Sequence, residues 1–151
     1  MTLPHRGGTE FRGVGEPGDP PGSMGLLARA RAVIERLTAA EAHAEQRAGA
    51  IIVDVRTEVH RDSAPSIPGS FAIDLTVLPW RLDPDFDWAI PEADSLDRRW
   101  ILICRHGYSS SLAAWNLRQM GLTRVVDVIG GFDAWKAAGL PTTDTPPDRR
   151  P

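Results

Sequence analysis

The chain has 151 residues, is 42% hydrophobic and 25% charged, and carries a formal net charge of −3, which fits one globular domain with tails. Its basic residues are almost all arginines scattered along the sequence, so no basic stripe points to nucleic acid or to an anionic membrane, and neither is expected as a partner. The single cysteine excludes an internal disulfide, a Cys-x-x-Cys redox pair and a multi-thiolate zinc site; no apolar run is long enough to span a bilayer and the start has no secretory apolar region, so the expected location is cytoplasmic.

Residues 1–23 hold Gly-Gly, Pro-Gly and Pro-Pro-Gly with few aliphatics, too little apolar area to offset ordering, and are expected to be a flexible tail. Within it Gly13–Val14–Gly15–Glu16–Pro17–Gly18 spells a dinucleotide-binding fingerprint, but no strand precedes it and prolines oppose a helix after it, so it is set aside. Leu26, Leu27, Ala30, Val33, Ile34 and Leu37 recur at helical spacing and predict a helix over 25–36. Thr38 and Glu41 form a capping box that opens a second helix, running to about Arg47 and stopped by Gly49. Ala50–Ile51–Ile52–Val53–Asp54–Val55 lacks polar alternation, the pattern of a parallel strand covered on both faces.

After the Ile67–Pro68–Gly69 turn, Ser70 to Leu75 reads as a short strand. Residues 76–99, with Pro79, Pro84 and Pro91, read as a crossing segment with a helical turn at most. Asp83, Asp85 and Asp87 resemble the start of a calcium loop, but Pro84 and Trp88 stand where that loop cannot take them, and no metal is expected. Ile101–Cys104 is the predicted central strand, Ser110–Met120 a helix ended by Gly121, Arg124–Val128 a further strand, and 132–138 a helix ended by Gly139. Trp115, Leu117, Phe132 and Trp135 fit core positions better than a cofactor box. The expected fold is a three-layer α/β domain over 24–141, a mostly parallel open sheet with helices on both faces, followed by a flexible tail over 142–151.

Cys104 falls at a strand end, before a short loop containing Gly107 and ahead of serines that open a helix. Unpaired N–H groups of such a loop and of the helix's first turn favour an anion, here the thiolate. Gly107 has the freedom to turn successive N–H groups inward. Ser109 or Ser110 can cap the helix, and their hydroxyls can also donate to bound sulfur or to an oxyanion. Against this stands the ordinary role of a free cysteine as a small buried hydrophobe.

Four runs in order carry a family resemblance: Asp54–Val55–Arg56, Ile67–Pro68–Gly69, Cys104–Arg105–His106–Gly107–Tyr108–Ser109 before a Ser–Leu–Ala–Ala helix, and Gly130–Gly131–Phe132–Asp133–Ala134–Trp135. Over roughly residues 36–141 the chain resembles a single-domain rhodanese. The resemblance implies a rhodanese-like fold and a thiosulfate sulfurtransferase-type enzyme needing no cofactor, in which Cys104 carries sulfane sulfur as a persulfide. It implies that Arg105, His106, Gly107, Tyr108 and Ser109 complete the cradle, with Ser110 following, and that Asp54 and Arg56 support it, chiefly structurally. The donor would be thiosulfate or a persulfide, and the acceptor cyanide, a small thiol or an acceptor protein. Ser109 stands where many such loops have arginine, and Ser66 where the family often has histidine.

Arg105 and His106 are candidates to bind a thiosulfate-like dianion, or are solvated loop charges. His60, Arg61, Trp80 and Arg81 lie on segments expected to rim the same mouth, with surface decoration as the plainer reading. Two rivals remain in view. A cysteine phosphatase or arsenate reductase needs an arginine six positions after its cysteine, where this chain has Ser110; a non-catalytic rhodanese-like module would bind a protein partner without using Cys104.

Overall fold

The computed structural model describes residues 18–151, so most of the expected N-terminal tail, with most of the Gly13–Gly18 stretch, lies outside the described residues. In order the elements are α1 (Gly22–Arg31), β1 (Glu35–Leu37), α2 (Ala39–Arg47), β2 (Ile51–Asp54), α3 (Glu58–Asp62), β3 (Phe71–Ala72), α4 (Leu78–Leu82), β4 (Trp100–Ile103), α5 (Ser109–Gln119), β5 (Val126–Val128), α6 (Gly131–Ala137) and β6 (Asp148–Arg149). The described strands form one sheet in the order β1-β5-β4-β2-β3-β6, with every pairing parallel.

The period of two along the central strands divides the core. Trp100, Leu102 and Cys104 of β4 and its end, with Val53 and Val55 from β2, join Leu78 and Leu82 of α4 and Ala113, Ala114 and Leu117 of α5 on one face. Ile101 and Ile103, with Ile52 and with Val126 and Val128 of β5, join Ala39 and Ala42 of α2 and Phe132 and Trp135 of α6 on the other. Every residue of β4 is buried, which is why the run needs no polar alternation. From β2 the chain moves on to β3 on one side, whereas from β4 it moves to β5 on the other, so the topology switches between β2 and β4. Crevices at such switch points, outside the carboxyl ends of the strands, are where open α/β sheets take ligands.

Two expectations change, and one short helix is added. The helix predicted over 25–36 ends at Arg31, and Glu35–Leu37 instead pair with Val126–Val128 as edge strand β1. Within the segment after β2, Thr57 caps the short helix α3 by accepting from the His60 N–H at 3.3 Å. The predicted C-terminal tail contributes a strand: Asp148–Arg149 pair with Phe71–Ala72, Arg150 binds both carboxylate oxygens of Glu92 at 2.8 and 3.0 Å, and its guanidinium lies 4.2 Å from the Phe71 ring centroid. The capping box forms as expected: Thr38 Oγ1 accepts from the Glu41 N–H at 3.2 Å, and Glu41 Oε1 accepts from the Thr38 N–H at 2.9 Å.

Candidate active site

Cys104 follows β4 directly, beside the end of β2, where the Val55 N–H donates to the Ile103 carbonyl at 2.9 Å. The loop from Arg105 to Tyr108 curls back over the sulfur. The Gly107 N–H donates to Cys104 Sγ at 3.1 Å and the Ser110 N–H at 3.4 Å, so the loop and the first turn of α5 aim donors at one atom. Gly107 has φ +85°, and a Cβ there would meet the Gly130 nitrogen at 2.9 Å. The left-handed conformation expected of this glycine is present, and the space beside it is closed.

The carbonyl side of the loop is held by α6. Phe132 N–H donates to the Cys104 carbonyl at 2.7 Å and Asp133 N–H to that of Arg105 at 3.1 Å. Burial pushes the Cys104 thiol pKa up. Hydrogen bonds to the ionised sulfur from the Ser110 and Ser109 hydroxyls and from the Ser110 and Gly107 N–H groups outweigh it, leaving the thiol below its ordinary value.

The other expected site residues separate into those that touch the sulfur's surroundings and those that do not. Arg105 is exposed. His106 Nδ1 lies 3.0 Å from Asp133 Oδ2, with both side chains about half exposed, so it is turned toward α6. Tyr108 is exposed and carries the guanidinium of Arg31, 5.7 Å from its ring centroid. Neither Ser109 nor Ser110 caps α5, whose cap residue is Tyr108, without a side-chain bond. Ser110 Oγ, wholly buried, instead bridges inward: it accepts from the Cys104 thiol at 3.2 Å and donates to Asp127 Oδ2 at 2.9 Å.

Asp54 and Arg56 bind each other and do not hydrogen-bond to the loop. Arg56 clasps the Asp54 carboxylate through Nε and Nη2 at 2.8–3.1 Å, gives a further bond to the Pro65 carbonyl, and lies 3.9 Å from the Phe132 ring centroid. Their link to Cys104 runs through Phe132, whose N–H holds the Cys104 carbonyl. Arg61 is buried and donates to the Arg56 carbonyl at 2.6 Å; His60 packs edge-on to Phe132; Arg81 donates to the Trp88 carbonyl. Trp80 is half exposed, on an apolar surface pocket with Val77, Phe86 and Trp88.

Sequence reasoning missed a second tier behind the loop. Asp127 of β5 is completely buried and accepts from Arg36 Nε at 2.8 Å, Arg36 Nη2 at 3.2 Å, Ser110 Oγ at 2.9 Å and Ser111 Oγ at 2.8 Å. The Gly107 carbonyl in turn accepts from Arg31 Nη2 at 2.8 Å and Arg36 Nη2 at 3.2 Å, with Ser111 Oγ 3.1 Å away as an alternative partner for the one hydroxyl proton it gives to Asp127. One signal was available: an acid between two valines of a strand buried on both faces must have a partner.

A family model of the rhodanese-like domain matches residues 38–138, about two thirds of the chain. The chain belongs to the rhodanese-like family. Among its rhodanese-like relatives, the thiosulfate sulfurtransferase GlpE of Stutzerimonas stutzeri is 39% identical over 102 residues, spanning 68% of this chain and 84% of that one. GlpE of Pseudomonas savastanoi pv. phaseolicola is 35% identical over 103 residues, spanning 68% and 88%. Among solved structures, a rhodanese-related protein of Thermoplasma volcanium matches with TM-score 0.57 at 28% identity, over 72% of this chain and 97% of its own. A Rhodopseudomonas palustris protein of unknown function, described as a possible tyrosine phosphatase, matches with TM-score 0.73 at 35% identity, over 81% and 94%. The rhodanese-like match begins after α1 and β1, so Arg31 and Arg36 reach the loop from outside it.

Proposed function

We propose that this chain is a thiosulfate sulfurtransferase-type enzyme that carries one sulfane sulfur atom on Cys104. The observation that carries the reading is the pair of backbone N–H groups, from Gly107 and Ser110, aimed at Cys104 Sγ in a loop that lowers the thiol pKa. In the first displacement the Cys104 thiolate attacks the outer sulfur of thiosulfate. The new S–S bond forms as the sulfur–sulfur bond of thiosulfate breaks, its electron pair leaving with sulfite, and the negative charge passes to the outer sulfur of the persulfide. In the second, cyanide or a thiolate attacks that outer sulfur, and the Cys104 thiolate is regenerated. No general base is needed where the thiolate is already formed.

Arg105, exposed at the mouth, is the side chain free to meet an incoming dianion, while the loop N–H groups hold the anion on sulfur. The names of the GlpE relatives favour thiosulfate as donor. Phosphoryl transfer lacks its clamp here: Ser110 occupies the arginine's position, and its hydroxyl faces the Asp127 carboxylate. With thiosulfate and cyanide the protein is expected to form thiocyanate with double-displacement kinetics, and to leave an aryl phosphate intact. Absence of thiocyanate together with aryl phosphate hydrolysis would reverse the assignment.

A further inference from the structure

The Ser110 hydroxyl has one proton and two neighbours that want it. Toward Asp127 Oδ2 it donates at 2.9 Å; toward Cys104 Sγ, 3.2 Å away, it accepts from the thiol. When the thiol ionises, that bond survives only if the Ser110 proton turns to the sulfur, and Asp127 then relies on Arg36 and Ser111. We propose that Asp127 is a positioning residue that restrains ionisation of Cys104 by competing with the sulfur for the Ser110 proton. The restraint works against the loop N–H groups, and the thiol pKa is the balance of the two.

The surrounding charges leave this competition to Asp127. Arg36 of β1 is its paired cation, and Arg31 of α1 reaches the Ser111 hydroxyl at 3.2 Å and the Gly107 carbonyl. Arg105 is exposed, and His106 faces Asp133 of α6. Asp54, Arg56 and Arg61 are engaged with one another, and His60 of α3 lies against Phe132. The consequence for turnover rests on the sulfur-transfer reading. Once sulfur is loaded, the anion moves to the outer atom, the inner sulfur no longer competes, and Asp127 recovers the Ser110 proton, so that Asp127 favours the loaded form over the free thiolate.

Replacing Asp127 by asparagine fixes the sign. Arg36 keeps the one remaining carbonyl oxygen, and the amide N–H groups face the two serines, which must then send their protons elsewhere, Ser110 to Cys104 Sγ. The test is the pH dependence of Cys104 alkylation by iodoacetamide in the full chain, which needs no sulfur transfer and so fails separately from it. For Asp127→Asn the midpoint is expected to fall by about one pH unit or more, because a like charge is also removed. Ser110→Ala is expected to raise the midpoint, and the Asp127→Asn shift to shrink to less than half in that background. A midpoint that stays or rises in Asp127→Asn, as loosening of the loop alone would give, overturns the proposal, as does an equal shift in both backgrounds. If circular dichroism finds Asp127→Asn unfolded, Arg36→Gln decides. Its loss of a cation should raise the midpoint, less so in Ser110→Ala, and an equal rise in both backgrounds or none contradicts the proposal.

Discussion

Cys104→Ser is expected to reduce thiocyanate formation from thiosulfate and cyanide by at least roughly 10⁴-fold, with the fold unchanged. The serine oxygen is smaller than sulfur, and its hydroxyl stays protonated where the thiol ionises. The donors that lower the thiol pKa, the Ser110 and Ser109 hydroxyls and the Ser110 and Gly107 N–H groups, sit around a residue that is 3% exposed and forms part of one core face, so a hydroxyl there costs little packing. Loss of rate with an unaltered melting temperature separates chemistry from folding. Residual activity above one hundredth of wild type would place the nucleophile elsewhere, and no second cysteine exists to take the role.

The second large effect is on the loop itself. Gly131 has φ +61°, and a Cβ built there would lie 2.4 Å from the Cys104 carbonyl oxygen and 2.7 Å from that of Arg105. Left-handed backbone costs a residue with a Cβ about 1–2 kcal/mol, and the clash falls on backbone that cannot rotate away. Gly131→Ala is therefore expected to lose about 3 kcal/mol or more, roughly 10 °C in Tm for a domain of this size. Pushing the Cys104–Arg105 peptide aside also breaks the bonds from the Phe132 and Asp133 N–H groups. Alkylation of Cys104 at neutral pH should slow toward that of an ordinary thiol, whereas an unchanged Tm and alkylation rate would show that α6 does not hold the loop.

The parts of the fold that were legible before the structure are those whose signal is local. β2 and β4 announce themselves as unbroken aliphatic runs because both their faces are covered, and α2 as a capping box that forms as written. β1 was hidden because Ile34 and Leu37 continue the apolar spacing of the helix before it, and three residues are too few to display a period of two. β6 was hidden for a different reason: an Asp–Arg pair has no strand propensity, and it is held by pairing to Phe71–Ala72 and by ion pairs of Arg149 to Glu58 and Asp62 and of Arg150 to Glu92.

At the site, Cys104 and Gly107 could be read from their place between a strand and a helix, since the geometry they need is made by immediate neighbours. The second tier could not. Arg31 lies 80 positions from Ser111, and Arg36 lies 91 from Asp127, and they meet only because β1 pairs with β5 and α1 lies against α5. The serines illustrate the same limit: the sequence offers Ser109 or Ser110 as a helix cap or as a donor to sulfur, whereas burial behind the loop turns Ser110 and Ser111 to a carboxylate on another strand.

The account centres on sulfur held covalently at Cys104, and weighing the intact protein after incubation with thiosulfate tests that most directly. A gain of one sulfur atom, removed by cyanide and absent in Cys104→Ser, is the predicted result; an unchanged mass in the wild-type chain, with Cys104 still open to alkylation, would contradict it.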